Sequence, residues 1–212
     1  MKYISLLLSF AFSTIIFAQN DFEGTIINKI EYEDIAEEMQ AMQSMLPAES
    51  TTEIKDGMSK TVTNSAMSNV TVISNSETGE ILMLQSAMGN KIATRMSPEA
   101  IKKQQEESKI KVEYNDETKE ILGYKCKKAI ITSDGAETEV YYTTELPSVS
   151  TNGQPNGIPG FPMQTIVSND FFTMISTVSE IKKGKIKKIK MDIPSDYKEM
   201  TIEEIMKSQG GM

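Results

Sequence analysis

The chain has 212 residues, with no histidine, no tryptophan and one cysteine, and its formal net charge is −8. Without histidine there can be no Ser-His-Asp or Cys-His nucleophilic site and no His-ligated zinc or iron site, which excludes most hydrolase and metalloenzyme mechanisms. The acidic balance lacks the basic stripe of a nucleic-acid-binding protein and disfavours electrostatic docking on anionic lipid. We therefore expect a protein with no catalytic site, no cofactor and no metal.

Residues 1–18 have the pattern of a secretory signal peptide. Lys2 precedes an apolar run over residues 4–17 that is too short to cross a bilayer of about 30 Å, and Ala18 is a small residue at the expected cut. A membrane anchor is the alternative, but no basic stop-transfer cluster follows. Because the leader carries only Lys2, the remainder has 21 basic and 30 acidic residues and a net charge of −9. We predict an exported protein, periplasmic or secreted, with a single domain over residues 19–212 and no transmembrane segment after cleavage.

Alternation of apolar and polar residues predicts strands along most of the mature chain, because successive side chains of a strand point to opposite faces. The predicted strands before the centre of the chain are residues 22–32, a strand pair or one bent strand over 51–63, and 69–75, 80–85, 89–95 and 109–114. Asn115-Asp116-Glu117 is expected to turn the chain into the next strand.

Residues 117–146 form the clearest hairpin pattern, in which two alternating runs flank Asp134-Gly135. An Asp-Gly pair tolerates the positive φ angles of a tight hairpin turn, so the two arms can pair without splaying. Cys126 lies on the apolar face of the first arm. No histidine is available to activate its thiol, so we interpret it as a small buried hydrophobe.

Three helices are predicted between or after the strands. Over residues 33–46 an apolar stripe recurs at i, i+4, i+7 and i+11, and Pro47 then stops the helix. The second helix begins with Ser97 as its cap and Pro98 at its first position. The third begins with the capping box Thr201 to Glu204.

The C-terminal third begins with a loop rich in proline and glycine over residues 146–162. Residues 163–168, 171–181 and 185–193 are predicted as three further strands. The lysine-rich run 182–190 is typical of a solvated edge strand that lysines protect from aggregation, and the alternative is a docking surface for an acidic partner or a lipid headgroup.

These elements predict a mainly β (α+β) protein of about nine to eleven strands in hairpin order. Such short connections favour antiparallel pairing. We expect one strongly curved antiparallel sheet, a half-barrel, with two or three short helices covering its concave face.

Four stretches resemble, in the same order, a domain-of-unknown-function family exported by Bacteroidota and close to the GLPGLI group. They are residues 121–129 (ILGYKCKKA), 141–146 (YYTTEL), 157–161 (GIPGF) and 193–200 (IPSDYKEM). That family looks related to the periplasmic lipoprotein carriers LolA and LolB. The resemblance implies a LolA-like half-barrel with a helical lid over an apolar cavity that carries a lipid-like ligand.

A ligand site is therefore expected where the first helix meets the sheet, and methionine suits it because its flexible, polarizable side chain adapts to an acyl chain. The candidate ligand-binding residues are Ile35, Met39, Met42, Leu46, Tyr142 and Phe161. Ordinary packing of the methionine stripe against the sheet is the alternative interpretation. The expected partner is a lipid or a lipoprotein acyl chain. The alternative function is a non-catalytic structural or interaction module that binds an envelope protein.

Overall fold

The computed structural model describes residues 22–107, 109–133, 135–149 and 157–209, so the predicted leader lies outside the described residues. Within them, twelve strands and three α-helices form. The strands are β1 Gly24–Glu33, β2 Glu49–Lys55, β3 Met58–Asn64, β4 Ser68–Asn75, β5 Ile81–Ala87, β6 Asn90–Met96, β7 Lys111–Ile121, β8 Tyr124–Ser133, β9 Ala136–Thr143, β10 Phe161–Ser168, β11 Thr173–Lys183 and β12 Lys198–Glu199. The helices are α1 Glu37–Gln40, α2 Pro98–Glu107 and α3 Ile202–Gln209, and a 3₁₀ turn spans Gln43–Met45.

All twelve described strands belong to one open sheet, in the order β12-β6-β5-β4-β3-β2-β1-β11-β10-β9-β8-β7. The chain runs outward from the centre through β1 to β6, crosses to the far edge by α2, and returns inward through β7 to β11. The two meanders meet where β1 pairs with β11 along its whole length, from Gly24 with Lys183 to Glu33 with Thr173. The predicted mainly β class and the antiparallel order are confirmed, except that the two-residue β12 runs parallel to β6.

Tight turns form where the sequence carries residues that tolerate positive φ. Ser133 pairs with Ala136, and Gly135 has φ +85°, so the predicted two-residue turn of the central hairpin is confirmed, although Asp134 lies outside the described residues. The turn predicted at residues 115–117, before this hairpin, is wrong. Residues 115–118 form a bulge inside β7, and the chain reverses at Leu122 and Gly123, whose φ angles are +51° and +82°.

Two predicted helix starts are confirmed by their caps. The Ser97 hydroxyl accepts a hydrogen bond from the Ala100 amide at 3.3 Å. In the capping box, the Glu204 amide donates to the Thr201 hydroxyl at 3.2 Å, and the Glu204 carboxylate accepts from the Thr201 amide at 2.8 Å.

One end of the sheet, from β4 to β6, is covered on both faces. Ile101 of α2 and Ile202 of α3 pack against Val72, Ile81 and Met96. The next residues along the same strands, which point to the other face, contact the extended segment 185–193 instead. That second cluster contains Ile73, Leu82, Leu84, Ala93 and Ile189. Two of the three helices thus cover a single face at one end of the sheet.

Residues 185–193 do not form the predicted third C-terminal strand. They run as an extended segment across the back of β3–β6, because their apolar residues pack onto that face rather than pairing with a strand edge. A cluster that we call the Glu23 clasp fixes the start of this segment. The Glu23 carboxylate accepts from the Ile186 amide at 2.6 Å and from the Lys55 ammonium at 2.7 Å, and Lys55 also donates to the Ile186 carbonyl at 3.0 Å.

Candidate ligand-binding site

A hollow of about 150 Å³ lies on one face of the central strands, over the junction of the two meanders. Its walls combine six hydroxyl groups, one amide side chain and five apolar residues, and none of its wall residues is charged. The polar residues are Asn28, Ser50, Thr52, Thr61, Thr63, Thr165 and Ser176, and the apolar residues are Ile30, Pro47, Phe161, Pro162 and Met174. We refer to it as the hydroxyl hollow.

The strand period explains why these side chains converge. Register pairs Thr52 with both Ile26 and Thr61, so the three side chains share one face of the sheet. Toward one end of β1 and β2 that face carries Ile26 and Ile54, which are almost fully buried in the main core. Toward the other end it carries hydroxyl and amide groups, and the hollow opens there.

The hydrogen bonds within the wall of the hollow use only some of its donors and acceptors. The hydroxyls of Thr52 and Thr61 bond to each other at 2.9 Å, and the Asn28 amide nitrogen donates to the Ser176 hydroxyl at 3.4 Å. Each hydroxyl offers one donor and two lone pairs, and the Asn28 side chain adds a carbonyl acceptor. Donors and acceptors therefore remain for a ligand with its own hydroxyl or amide groups.

A more open groove of about 580 Å³ adjoins the hydroxyl hollow. It runs beside α1 and the 3₁₀ turn, and Ile30 and Pro47 line both cavities. The Tyr32 hydroxyl donates to the Pro47 carbonyl at 3.1 Å and fixes the position of Pro47 at the boundary between the two cavities. A ligand could thus reach the hollow along the groove.

The structure brings two of the six predicted ligand-binding residues to these cavities. Phe161 is 1 % exposed and lines the hydroxyl hollow, and Leu46 lines the adjoining groove. Tyr142 is buried in a separate cluster with Ala129, Val140 and Ile158.

The other three predicted residues, Ile35, Met39 and Met42, are half-buried and line neither cavity. The reason is that the helix expected over residues 33–46 is only four residues long and has no buried side chain. β1 remains paired up to Glu33, and no side-chain cap supports the start of α1. A helix this short is marginal without packing.

Sequence reasoning missed the polar half of the hollow. Its signal was present: β2 and β3 carry Ser50, Thr52, Thr61 and Thr63 at positions where the alternation places the buried face. Thr52 and Thr61 are 2 % and 5 % exposed. Hydroxyl residues at consecutive inward positions of neighbouring strands indicate a polar cavity rather than a filled core.

Cys126 is buried in the main core, as predicted. Its thiol donates to the Tyr124 carbonyl at 3.4 Å, and burial raises the thiol pKa to about 11. The group therefore stays protonated at neutral pH and is a poor nucleophile.

A second polar cluster lies on β7, β8 and β9 and is internally paired. The Tyr141 hydroxyl donates to the Glu117 carboxylate at 2.5 Å, and the Lys128 ammonium lies 3.5 Å from Glu117 and 2.8 Å from Glu139. Lys128 and Lys119 both lie over the Tyr141 ring. Because these groups pair with one another, we interpret the cluster as one that stabilises the packing of the three strands. Among the described residues no group of three or more Cys, Asp or Glu side chains is arranged to hold a metal ion.

Comparison with known proteins assigns the family. The profile of the family described as N-glycanase peptide, N-terminal domain, matches residues 19–202. The chain belongs to this family. The resemblance to the GLPGLI group remains a prediction.

Two crystal structures of PNGF-II share the fold of this N-glycanase N-terminal domain. They have TM-scores of 0.59 and 0.58 and sequence identities of 15 % and 14 %, and the alignments cover 88 % and 89 % of this chain. The chain spans about a third of their length, since 32 % of each PNGF-II chain is covered.

Two other crystal structures, of LprF and of the lipoprotein LppX, align more weakly. LprF from Mycobacterium bovis has a TM-score of 0.34 at 10 % identity over 80 % of this chain and 90 % of its own. LppX from Mycobacterium tuberculosis has a TM-score of 0.30 at 11 % identity, over 82 % of this chain and 94 % of its own. Likeness at this level carries no inference, so the LolA-like cavity remains a prediction.

No curated protein matches the sequence significantly. In the described part of the chain no helix is long and apolar enough to span a membrane.

Proposed function

We propose that this N-glycanase N-terminal domain is a non-catalytic binding module and that the hydroxyl hollow holds a small uncharged ligand rich in hydroxyl groups, such as one ring of a carbohydrate. The observation that carries the proposal is the convergence of seven uncharged hydrogen-bonding side chains on one cavity. Hydroxyl and amide groups recognise a neutral polyol by exchanging donors and acceptors with it, whereas charged groups would bear a desolvation cost without a counterion.

The size of the hollow limits the ligand. Sites that enclose a drug-sized molecule measure roughly 300–1,000 Å³, so a cavity of about 150 Å³ accepts a single ring or the end of a longer chain. Phe161 and Met174 form an apolar wall against which the less polar face of a sugar ring can pack. The family name supports this ligand class, because it refers to an N-glycanase, an enzyme named for N-glycans.

The composition of the same walls supports the proposal that the domain is non-catalytic. No carboxylate, lysine or arginine lines the hollow among the described residues, and the whole sequence has no histidine. General acid–base chemistry at a glycosidic bond needs a pair of carboxyl groups, and hydrolysis of other bonds needs an activated nucleophile. We therefore propose that this domain binds its ligand without cleaving it.

An apolar ligand such as an acyl chain is the second candidate, as the sequence predicted. The groove beside α1 favours it, since Leu46, Ile30 and Pro47 give that groove an apolar floor that continues into the hollow. An acyl chain lying along the groove would contact these residues and end near Met174.

Titration of ¹⁵N-labelled protein with N-acetylglucosamine and, separately, with dodecanoate distinguishes the two ligands. For the sugar we expect amide shifts in β2, β3 and β11, and Thr61→Val should weaken binding by about tenfold, the effect of losing one or two hydrogen bonds. Thr94→Val is the matched control, because Thr94 is equally buried but lies outside the hollow. Shifts with dodecanoate alone would favour the apolar ligand, and no shift with either compound would refute binding at this site.

A further inference from the structure

The end of β11 and the extended segment 185–193 carry a row of exposed lysines on an otherwise acidic protein. Lys183, Lys185, Lys187, Lys188 and Lys190 are all exposed, and we call them the lysine ridge. From residue 185 to residue 190 an extended chain covers roughly 17 Å, at about 3.3 Å per residue. The ridge is therefore a narrow line of positive charge rather than a broad patch.

Packing on the opposite side fixes the path of the ridge. Ile189 is buried, and Ile186, Met191 and Ile193 pack against the same cluster on the back of β3–β6. The Glu23 clasp holds the start of the segment, and the Arg95 guanidinium donates to the Met191 carbonyl at 2.9 Å near its end. The lysines thus project from a backbone that is anchored at both ends.

Most charges of the ridge form no ion pair, although the Glu23 carboxylate attracts Lys185 through space. Lys190 lies 3.9 Å from Asp192, at the limit of an ion pair. In the described part of the chain no carboxylate lies within ion-pair distance of Lys183, Lys185, Lys187 or Lys188. Like charges held this close repel one another, and binding of an anion relieves that repulsion.

We propose that the lysine ridge binds a linear acidic polysaccharide that carries carboxylate groups along its length. A line of ammonium groups matches a line of separate single negative charges, because each lysine acts as a point charge with three donors. The proposal is independent of the hydroxyl hollow, since no residue of the ridge lines that cavity.

Two other polyanions fit the surface less well. Single-stranded nucleic acid is held by stacking of its bases on exposed aromatic rings beside the positive groove, and the ridge sequence 183–193 contains no aromatic residue. A flat anionic membrane would face the acidic remainder of the protein as well as the ridge, and the net charge of −8 opposes that approach.

The test is binding of the full chain to polygalacturonate at low and at physiological salt, with neutral dextran as the uncharged polymer. The ridge variant carries Lys185→Gln, Lys187→Gln, Lys188→Gln and Lys190→Gln. The control variant removes the same number of charges from exposed lysines elsewhere, with Lys102→Gln, Lys103→Gln, Lys125→Gln and Lys127→Gln. Thermal unfolding of both variants confirms that they remain folded.

We expect the wild type and the control to bind polygalacturonate, with affinity that falls steeply as salt rises, because binding releases counterions. The ridge variant should bind at least tenfold more weakly and show a flatter salt dependence. Equal loss in both variants would overturn the proposal, because it would show attraction to overall charge alone. Tighter binding to anionic vesicles or to single-stranded DNA than to polygalacturonate would overturn it in favour of those partners.

Discussion

Thr94 carries an unusual group, a side-chain hydroxyl that is 1 % exposed and, alone among the buried side-chain polar groups described, has no hydrogen-bond partner. Thr52 offers the contrast, since it is just as deeply buried but bonds to Thr61. An unpaired buried hydroxyl costs about 1–3 kcal/mol, whereas a paired one contributes to stability. The same residue type therefore has opposite effects at the two positions.

Thr94→Val should stabilise the protein. Valine keeps the shape of threonine and removes the unpaired hydroxyl, so the free energy of unfolding should rise by about 1 kcal/mol, or about 2–4 °C in Tm for a chain of this size. Thr52→Val, which leaves the Thr61 hydroxyl without its partner, should lower the stability by a similar amount. Thermal unfolding of the two variants measures both effects, and equal destabilisation by both would show that Thr94 is hydrogen-bonded in solution.

Among individual residues, the sequence predicted Phe161 and Leu46 as cavity residues and Cys126 as a core residue. It did not predict that Tyr142 packs away from the hollow. Phe161 pairs with Thr143, so the neighbouring Tyr142 points to the opposite face of the sheet. That pairing joins β9 to β10 across a long loop and cannot be read from the alternation within either strand. The threonines of the hollow were missed because strand alternation alone does not distinguish a polar cavity from a solvated face.

Among the elements, the segment 185–193 depends on the Glu23 clasp. The Lys55 ammonium, the Ile186 amide and the surrounding positive charge hold the pKa of the Glu23 carboxyl below its ordinary value of 4.5. A carboxyl group whose pKa is lower in the folded state contributes stability above its unfolded pKa. That contribution is lost as the pH falls through the folded value.

Glu23→Gln should therefore destabilise the protein at neutral pH, and its difference from the wild type should shrink as the pH falls below 4.5. Urea unfolding at a series of pH values measures the difference. Glu53→Gln on β2 is the control, because no hydrogen bond or ion pair joins the Glu53 side chain to the rest of the described chain. A gap between Glu23→Gln and the wild type that does not change with pH would contradict the role of the Glu23 charge.

Elements with local signals were predicted well. The Ser97 cap, the Thr201 capping box and the Gly135 turn depend on residues within four positions of one another, so the sequence alone determines them. The helix over 33–46 and the strand over 185–193 were wrong because their conformations depend on distant partners. β11 extends the pairing of β1 through Glu33, and the back of β3–β6 attracts the apolar residues of 185–193.

For the whole molecule, the pairing of β1 with β11 is the junction that joins the two meanders into one sheet. Gly24 lies at one end of it, between Ile54 of β2 and Lys183 of β11. A Cβ atom at Gly24 would lie 2.4 Å from the Lys182 carbonyl oxygen, so a larger residue forces the backbones apart. Gly184, one residue beyond the end of β11, has open space around its Cα.

Gly24→Ala should destabilise the protein by about 1–3 kcal/mol, the usual cost of overpacking, and should increase amide exchange in β1 and β11 first. Gly184→Ala at the same end of the junction should be neutral or stabilising by a few tenths of a kcal/mol, through reduced freedom of the unfolded chain. Chemical unfolding and hydrogen exchange measure both variants. If the two alanines had the same effect, close packing at Gly24 would not be what limits the junction.

Sequence patterns predicted the fold class, the antiparallel pairing and the approximate number of strands, since each strand has its own alternation of apolar and polar residues. The order in which the strands lie did not, because pairing between β1 and β11 joins residues about 150 positions apart and leaves no local trace. The parallel contact of β12 with β6 was missed for the same reason.

The junction also dictates the order of folding. The first meander, β1 to β6, can form hairpin by hairpin from neighbouring residues, and so can the second, β7 to β11. The single sheet is complete only when β11 pairs with β1. Until residues 173–183 have been synthesised, β1 presents an unpaired edge that invites pairing with another chain. Folding should accordingly be fast within each half and slow at the union of the halves, where loop closure over most of the chain sets the rate.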